Sequence, residues 1–276
     1  MTHTLPRLDI MIAYSCNIAC AGCISLSDYK RDGVAPYADV CSWISQWSAV
    51  VEPAVVVVFG GEPCLHPRLI DVCQQIRLAW PKTKIRLITN GYLLDNFDSA
   101  AWFGLGLFEM QISIHRADHR ALIDKKIHSI LKQRRDWSVT QHGGDDHKQV
   151  AWTSGLVTIY KSIFKDFVVP YKLDNDRIVP WNSTPEQAYK ICGASSTPIL
   201  YKGKLYKCPP VANIIDMTGQ HYANYQGYGI NDNVAEFVSN VNQPQAVCGQ
   251  CPTKQQAVVI DHLDIKNVTV KQKISS

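Results

Sequence analysis

No stretch of this 276-residue chain approaches the run of about 18 apolar residues that a membrane-spanning helix needs. The opening MTHTLPRLDIMIAYS lacks the basic start, the uninterrupted apolar core and the small-residue cleavage site of an export signal. There is no internal repeat, no low-complexity segment and no block of like charge that would read as an interaction tail. A net charge of +4, left by 28 basic and 24 acidic residues, weakly favours an anionic ligand and gives no ground for nucleic-acid binding. These absences lead us to expect a soluble, cytoplasmic protein. A hydrophobic content of 46% over this length is enough for one large domain, or for a large and a small one.

Cysteine is what the sequence does have, ten in all. Without a secretion signal they do not read as a disulfide framework, because a reducing compartment keeps thiols free for metals or chemistry. Three stand in CNIACAGC, at Cys16, Cys20 and Cys23, and four more at Cys192, Cys208, Cys248 and Cys251.

Apolar runs at 8–14, 54–59, 84–89 and 107–115 read as buried strands, the valine-rich second one as a parallel strand covered on both faces. Helical periodicity lies between and after them: Val40, Trp43, Ile44 and Trp47; Leu69, Val72, Cys73 and Ile76; Ile123, Ile127, Ile130 and Leu131. Alternation of this kind predicts βα units joined by right-handed crossovers. At roughly 31 residues per unit, a change of style near residue 175 leaves room for five or six units, so the expected barrel is partial. HGGDDHK at 142–148 reads as a polar turn, and 150–160 as a further strand. Beyond residue 175, Ser183 and Glu186 have capping-box spacing around Pro185, PILYKGKLYKC at 198–208 reads as a hairpin turning at Lys202-Gly203, and 231–241 reads as helical. The fold expected is α/β, a partial (β/α)6 TIM-like barrel over 1–175 with a small hairpin and helix module over 176–276.

Three thiolates can ligate three irons of a four-iron, four-sulfur cluster and leave the fourth iron open; a zinc site with a distant fourth ligand is the alternative. Directly after the second strand comes Gly60-Gly61-Glu62-Pro63. Two glycines let a ligand approach the backbone closely, and Glu62 offers a carboxylate suited to an ammonium group. A turn alone would explain the glycines, but not their pairing with a three-cysteine loop one βα unit earlier.

Together, CNIACAGC and GGEP resemble the CxxxCxxC loop and GGE motif of the radical SAM superfamily. The resemblance implies that Cys16, Cys20 and Cys23 hold a [4Fe-4S] cluster whose open iron chelates S-adenosylmethionine, and that Gly60, Gly61 and Glu62 contact its methionine end. It further implies that the cofactor is cleaved reductively to a 5'-deoxyadenosyl radical that takes a hydrogen atom from substrate. By the same resemblance Asn90 and Ser113, at the ends of strands three and four, are candidates to touch the ribose or carboxylate of the cofactor; a turn asparagine and a satisfied barrel serine are the plain alternatives. His115 is either a substrate-facing residue or a hydrogen-bonded wall residue. Where many such loops carry an aromatic before the third cysteine this chain has Gly22, so adenine packing falls to another residue such as Ile24.

Cys192, Cys208, Cys248 and Cys251 include a CxxC pair and could form a structural zinc ribbon. After a radical SAM barrel they resemble the twitch module, the short form of the SPASM extension, and in particular the radical SAM dehydrogenases of aminocyclitol biosynthesis, where four cysteines fully ligate an auxiliary [4Fe-4S] cluster. Such a cluster, having no open iron, would take or pass electrons, which suits an oxidoreductase that dehydrogenates a carbohydrate-like small molecule or a peptide; a purely structural role is the plain alternative. With fifteen residues before the first cysteine, no leader-binding domain is expected, which favours a small substrate. A reductant such as flavodoxin or ferredoxin is the expected partner, with no nucleic acid and no membrane. A redox-neutral epimerase or peptide maturase would share every motif, and a non-enzymatic metal protein would share the cysteines but leave the GGE segment unexplained. Of the remaining cysteines, Cys41 and Cys73 occupy apolar helix positions and read as core packing. Cys64, next to GGEP, could give a hydrogen atom to a substrate radical on position alone. The basic side of the helix ending LKQRRDW, with Lys125, Lys126, Lys132, Arg134 and Arg135, reads as a solvated face rather than a phosphate site.

Overall fold

The computed structural model describes residues 2–29, 31–115, 117–142, 149–163, 166–175 and 177–261. Of the expected polar turn at 142–148, residues 143–148 lie outside them. Strands β1 (His3–Ala13), β2 (Val51–Gly60), β3 (Lys84–Thr89) and β4 (Phe108–Ile114) run parallel and adjacent in chain order. Helices α1 (Tyr37–Ser48), α2 (Leu69–Ala79), α3 (Ser99–Phe103) and α4 (Arg120–Leu131) follow them in turn.

Because strand side chains alternate between faces, β1 and β2 serve two cores. On the outer face Val56, Val58, Ile85 and Leu87 pack with Val40, Ile44, Trp47, Val72 and Ile76 of the helices. On the inner face Met11, Val57 and Phe59 pack instead with Ile199, Tyr201, Tyr206 and Val211 from the C-terminal third. The apolar periodicities of the helices are thus the outer core, and the valines of β2 are buried on both sides.

Next come β5 (Ser138–His142), β6 (Gln149–Ser154) and β7 (Val157–Ile163), an antiparallel run whose last strand pairs parallel with β4. The single strand expected at 150–160 is two strands, broken where Gly155 takes a φ of +57° between them. After short pairs involving β8 (Asp166–Val168), β9 (Lys172–Asp174) and β10 (Arg177–Val179) come α5 (Pro185–Ile191) and the hairpin β11 (Ile199–Tyr201) and β12 (Lys204–Tyr206). The chain continues with α6 (Pro209–Thr218), α7 (Val234–Asn240) and β13 (Val259–Asp261), which pairs with β8.

Lys202 and Gly203 turn the hairpin with φ values of +48° and +80°, the left-handed pair that a two-residue type I′ turn requires. Strand β11 then pairs parallel with β1, Asp9 opposite Ile199. The resulting sheet runs β12-β11-β1-β2-β3-β4-β7-β6-β5. The expected α/β architecture with a parallel sheet is present. Its six parallel strands are assembled differently from six consecutive units: four βα units, then β7 after an antiparallel excursion, then β11 from beyond residue 175 on the other side. Trp47 Nε1 donates to Gly203 O at 3.0 Å, fixing the hairpin turn against α1.

Two local expectations are corrected. No capping box forms at the start of α5: Thr184 is the N-cap and makes no side-chain cap bond, while the Ser183 hydroxyl donates to Gln256 Oε1 at 2.7 Å. Cys73 is fully buried in the outer core, but Cys41 is only half-buried, beside the fully buried Val40 and Ile44 of α1. On the basic side of α4 Lys125 is exposed, as are Lys132, Arg134 and Arg135 just beyond the helix, whereas Lys126 is mostly covered and pairs with Asp95; Arg134 pairs with Asp136.

Candidate active site

Residues Cys16, Cys20 and Cys23 lie in the loop that leaves the C-terminal end of β1, with Ile18 and Tyr92 packed against them. Turn bonds from Cys23 N to Cys20 O (3.2 Å) and from Leu26 N to Cys23 O (2.9 Å) wind the segment back on itself. The segment after β2 straps this loop down. Gly61 N donates to Ala13 O (2.8 Å) and Glu62 N to Ser15 O (2.9 Å), while Gly60 O accepts from Ser25 Oγ (2.8 Å). A Cβ on Gly60 would lie 2.2 Å from Ala13 O, and one on Gly61 would lie 2.2 Å from Ser15 O. The glycines are therefore demanded by the approach of two backbones beside Cys16.

Glu62 differs from a carboxylate presented to a ligand. It is 0% exposed, and its oxygens accept from Cys64 N (2.9 Å), Thr89 Oγ1 (2.7 Å) and Asn90 N (2.8 Å). Burial pushes its pKa up, and these three bonds pull the other way. Its visible work is to lock the ends of β2 and β3 together. Asn90 then turns its side chain to the loop, Nδ2 donating to Asn17 Oδ1 at 2.7 Å and lying 3.7 Å from Cys16 Sγ.

Burial pushes the thiol of Cys16 well up, and Glu62, Cys23 and Cys20 push it further. Cys20 and Cys23 are likewise raised by burial first. Three buried thiols that oppose one another's ionisation become thiolates when a multivalent cationic group sits among them, so the donor set fits a cluster with three protein ligands. Gly22 is now explained. It has a φ of +70°, and its N–H donates to Asp28 Oδ2 at 3.1 Å, where Tyr171 OH also donates at 3.0 Å. An aromatic residue there would carry the steric cost of left-handed backbone.

The second set converges as well. Cys192 closes α5, Cys208 is the N-cap of α6, and Cys248 and Cys251 flank the Gly249-Gln250 turn. All four, with Lys207, line one small cavity. A Cβ on Gly249 would meet Ser183 O at 2.6 Å, so the CxxC turn needs glycine at that point. Burial raises the thiols of Cys192, Cys208 and Cys251, with the neighbouring cysteines adding to it. Among the described residues no group of three His, Cys, Asp or Glu side chains closes to the spacing of a single metal ion. Four thiols around a cavity fit a four-iron cluster, whose thiolates stand wider apart than those on one zinc at about 2.3 Å.

Between the two sets lies a cavity of about 600 Å³. Cys16, Cys20 and Cys23 of the first set and Cys192 and Cys251 of the second all line it. Gly60, Gly61, Asn90, Ser113 and His115 form wall between them, and Ile24 lines it beside the loop. The His115 ring lies 5.9 Å from that of Phe167, another wall residue. Glu62 and Cys64 do not line the cavity; Cys64 sits in the outer core, its Sγ 3.4 Å from Thr89 Oγ1. This removes the positional argument for Cys64 as a hydrogen-atom donor.

Sequence reasoning missed the polar floor of this cavity, Arg7, Asp9 and Gln111. Arg7 chelates the Asp9 carboxylate through Nε (2.5 Å) and Nη2 (2.9 Å), and Gln111 Oε1 accepts from Tyr160 OH (2.9 Å). Burial raises the Asp9 pKa while Arg7 lowers it. The signal was available in Arg7 and Asp9, two charges at alternate positions of an otherwise apolar strand.

No family model matches the chain. A stretch of 59 residues, 21% of this chain, is 37% identical to 18% of the GTP 3',8-cyclase of Microcystis aeruginosa (strain NIES-843 / IAM M-2473), so the chain matches under a fifth of that relative's length. Among solved structures, BtrN in complex with AdoMet and 2-DOIA aligns over 99% of this chain and 98% of its own, at 16% identity and a TM-score of 0.49. Streptococcus suis SuiB bound to S-adenosylmethionine aligns over 43% of this chain and 27% of its own, at 18% identity and a TM-score of 0.36. The structure of anSMEcpe with bound AdoMet aligns over 47% and 41%, at 18% identity and a TM-score of 0.38. Among the described residues no helix is long and apolar enough to cross a membrane.

Proposed function

We propose that the chain is a radical SAM enzyme that oxidises its substrate, with residues 1–175 holding the S-adenosylmethionine cluster and 176–276 holding an auxiliary one. The observation that carries this reading is one cavity lined both by Cys16, Cys20 and Cys23 and by Cys192 and Cys251. When bound, the first cluster supplies the electron that splits S-adenosylmethionine into methionine and a 5'-deoxyadenosyl radical. The proposed conversion removes two electrons and two hydrogens from substrate: one hydrogen would leave as an atom to the deoxyadenosyl group and the other as a proton, and an auxiliary cluster held by Cys192, Cys208, Cys248 and Cys251 would supply the acceptor for the remaining electron of the substrate radical.

This chain's residues have defined parts in that reading. The three-cysteine loop offers the ligands, and the strap from Gly60 to Glu62 fixes it at Ala13 and Ser15. The methionine end would lie against the backbone of Gly60 and Gly61, while Glu62 braces that segment from behind. Asn90 and Ser113 flank the cofactor region, and His115 with the Arg7, Asp9 and Gln111 floor faces the substrate region. Walls from Phe59, Ile88, Phe167 and Ile191 keep the space apolar, which limits quenching by water.

Anaerobic reconstitution, reduction and incubation with S-adenosylmethionine test the reading. We expect about eight irons per chain, two four-iron clusters, and formation of 5'-deoxyadenosine. Cys16→Ala should abolish 5'-deoxyadenosine and halve the iron; Cys251→Ala should lower the iron while 5'-deoxyadenosine still forms. Absence of 5'-deoxyadenosine from the fully loaded protein sinks the enzyme reading, and one cluster plus zinc sinks the auxiliary cluster alone. Once a substrate is found, solvent deuterium carried into product would favour epimerisation over oxidation.

A further inference from the structure

Lys207 is buried where an apolar core would need no charge. The residue is 1% exposed, precedes Cys208, and lines the same small cavity as Cys192, Cys208, Cys248 and Cys251. Its Nζ donates to the carbonyls of Ser195 (2.7 Å) and Val241 and lies 5.0 Å from the centre of the Tyr189 ring. These partners are neutral dipoles and a ring face. Among the described residues no carboxylate forms an ion pair with it; Asp216, on the helix that Cys208 caps, is taken by Lys202 and Arg31. A buried ammonium is costly unless an anion faces it.

A four-iron cluster held by four thiolates is negative in its oxidised form and gains one further negative charge when reduced. A fixed cation beside it therefore stabilises the reduced form more, and net charge and hydrogen bonding near the sulfurs are what set such potentials. We infer that the Lys207 ammonium is the counter-charge of the cluster held by Cys192, Cys208, Cys248 and Cys251, and that it makes this cluster the stronger electron acceptor. The inference rests on the proposed reading of these four cysteines as a cluster site. In the step it serves, the cluster would accept the one electron that the substrate loses after hydrogen removal, with the substrate proton released. Lys207 touches no substrate and acts only through the cluster.

The test uses the full chain carrying Cys16→Ala, Cys20→Ala and Cys23→Ala, so that only the second site holds iron. Redox titration followed by electron paramagnetic resonance gives its midpoint. In this background Lys207→Met, which fills the volume, and Lys207→Gln, which keeps a donor for the carbonyls, should each shift the oxidised-to-reduced ratio at fixed potential at least tenfold toward oxidised, about 59 mV for a one-electron couple. Lys204→Met, an exposed lysine of the same hairpin, should leave the midpoint in place. If the triple variant holds no iron-sulfur cluster, the auxiliary-cluster reading falls and this inference with it. If the cluster is present and its midpoint is the same with Lys, Met and Gln at 207, the inference alone is overturned.

Discussion

Asn213 Nδ2 donates to the carbonyl of Ile24 at 3.0 Å. This joins α6, which Cys208 caps, to the residue after Cys23. The bond belongs to a node: Arg31 donates to Ser25 O (3.1 Å), to Asn213 Oδ1, to Tyr201 OH (2.6 Å) and to Asp216 (2.8 Å). The loop of the first cysteine set is thus held from β2 on one side and from the C-terminal third on the other.

Removing the link should be felt at the loop. Asn213→Ala leaves Ile24 O without this donor and one Arg31 N–H without its acceptor, both in a buried setting, at a cost of about 1–3 kcal/mol. Urea denaturation should show that loss, and iron retained after gel filtration should fall in the variant. Wild-type stability and full iron retention in Asn213→Ala would show that the node does not support the loop.

Gly61→Ala tests the strap more sharply. Its Cβ would sit 2.2 Å from Ser15 O, and the obstacle is backbone rather than a side chain that could swing away. The two strand ends must separate beside Cys16. We expect a folded protein by far-ultraviolet circular dichroism that keeps the second cluster and loses the first, read as iron falling by about half. Gly104→Ala is the control: its nearest contact would be Ala101 O at 3.6 Å and its φ is −74°, so it should change little.

How far the sequence spoke follows from what each signal depends on. Strand β2 was readable because burial on both faces writes a nearly continuous apolar run, and β3 because its buried Ile85, Leu87 and Thr89 alternate with half-buried residues, matching residue for residue at Lys84–Thr89. The hairpin was readable because Lys202-Gly203 is local turn chemistry. That β11 would lie beside β1 was not, since parallel pairing between residues 190 positions apart leaves no local mark. The same holds at the site. Spacing marked the three-cysteine loop and the CxxC pair, and the resemblance implied Cys192 and Cys208 with them, whereas the inward turn of Glu62 depends on Thr89 and Asn90, and the cavity floor depends on which face of β1 and β4 looks inward.

Gly22→Ala should cost about 1–2 kcal/mol, the penalty for an L-residue with φ near +70°. Asp28→Asn is its companion, because it weakens the acceptor that holds Gly22 N and Tyr171 OH on one oxygen. Chemical denaturation of the reduced, metal-free protein measures both without interference from cluster assembly. Equal stability of Gly22→Ala and wild type would mean that the turn can relax, and that the missing aromatic has another cause.

A pH dependence is expected at His66. The ring is buried, Nδ1 accepts from Arg68 N at 3.1 Å, and Nε2 therefore donates to Ala35 O at 3.0 Å. Burial holds its pKa below the ordinary 6.5, with Arg68 adding to the effect and the Ala35 carbonyl and Asp71 opposing it. In the unfolded chain the imidazole takes up a proton as pH falls through about 6.5, whereas the folded ring resists until a lower pH. Its contribution is accordingly complete above 6.5 and is lost as pH falls toward the depressed folded value, with a slope of at most about 1.4 kcal/mol per pH unit. Urea denaturation at about pH 7.5, 6.5 and 5.5 should show wild-type stability declining over the lower interval. His66→Gln, which cannot titrate, should be less stable at the highest pH and decline less. If the two proteins lose stability in parallel, the proton uptake belongs to other groups and the neutral ring assigned to His66 is wrong.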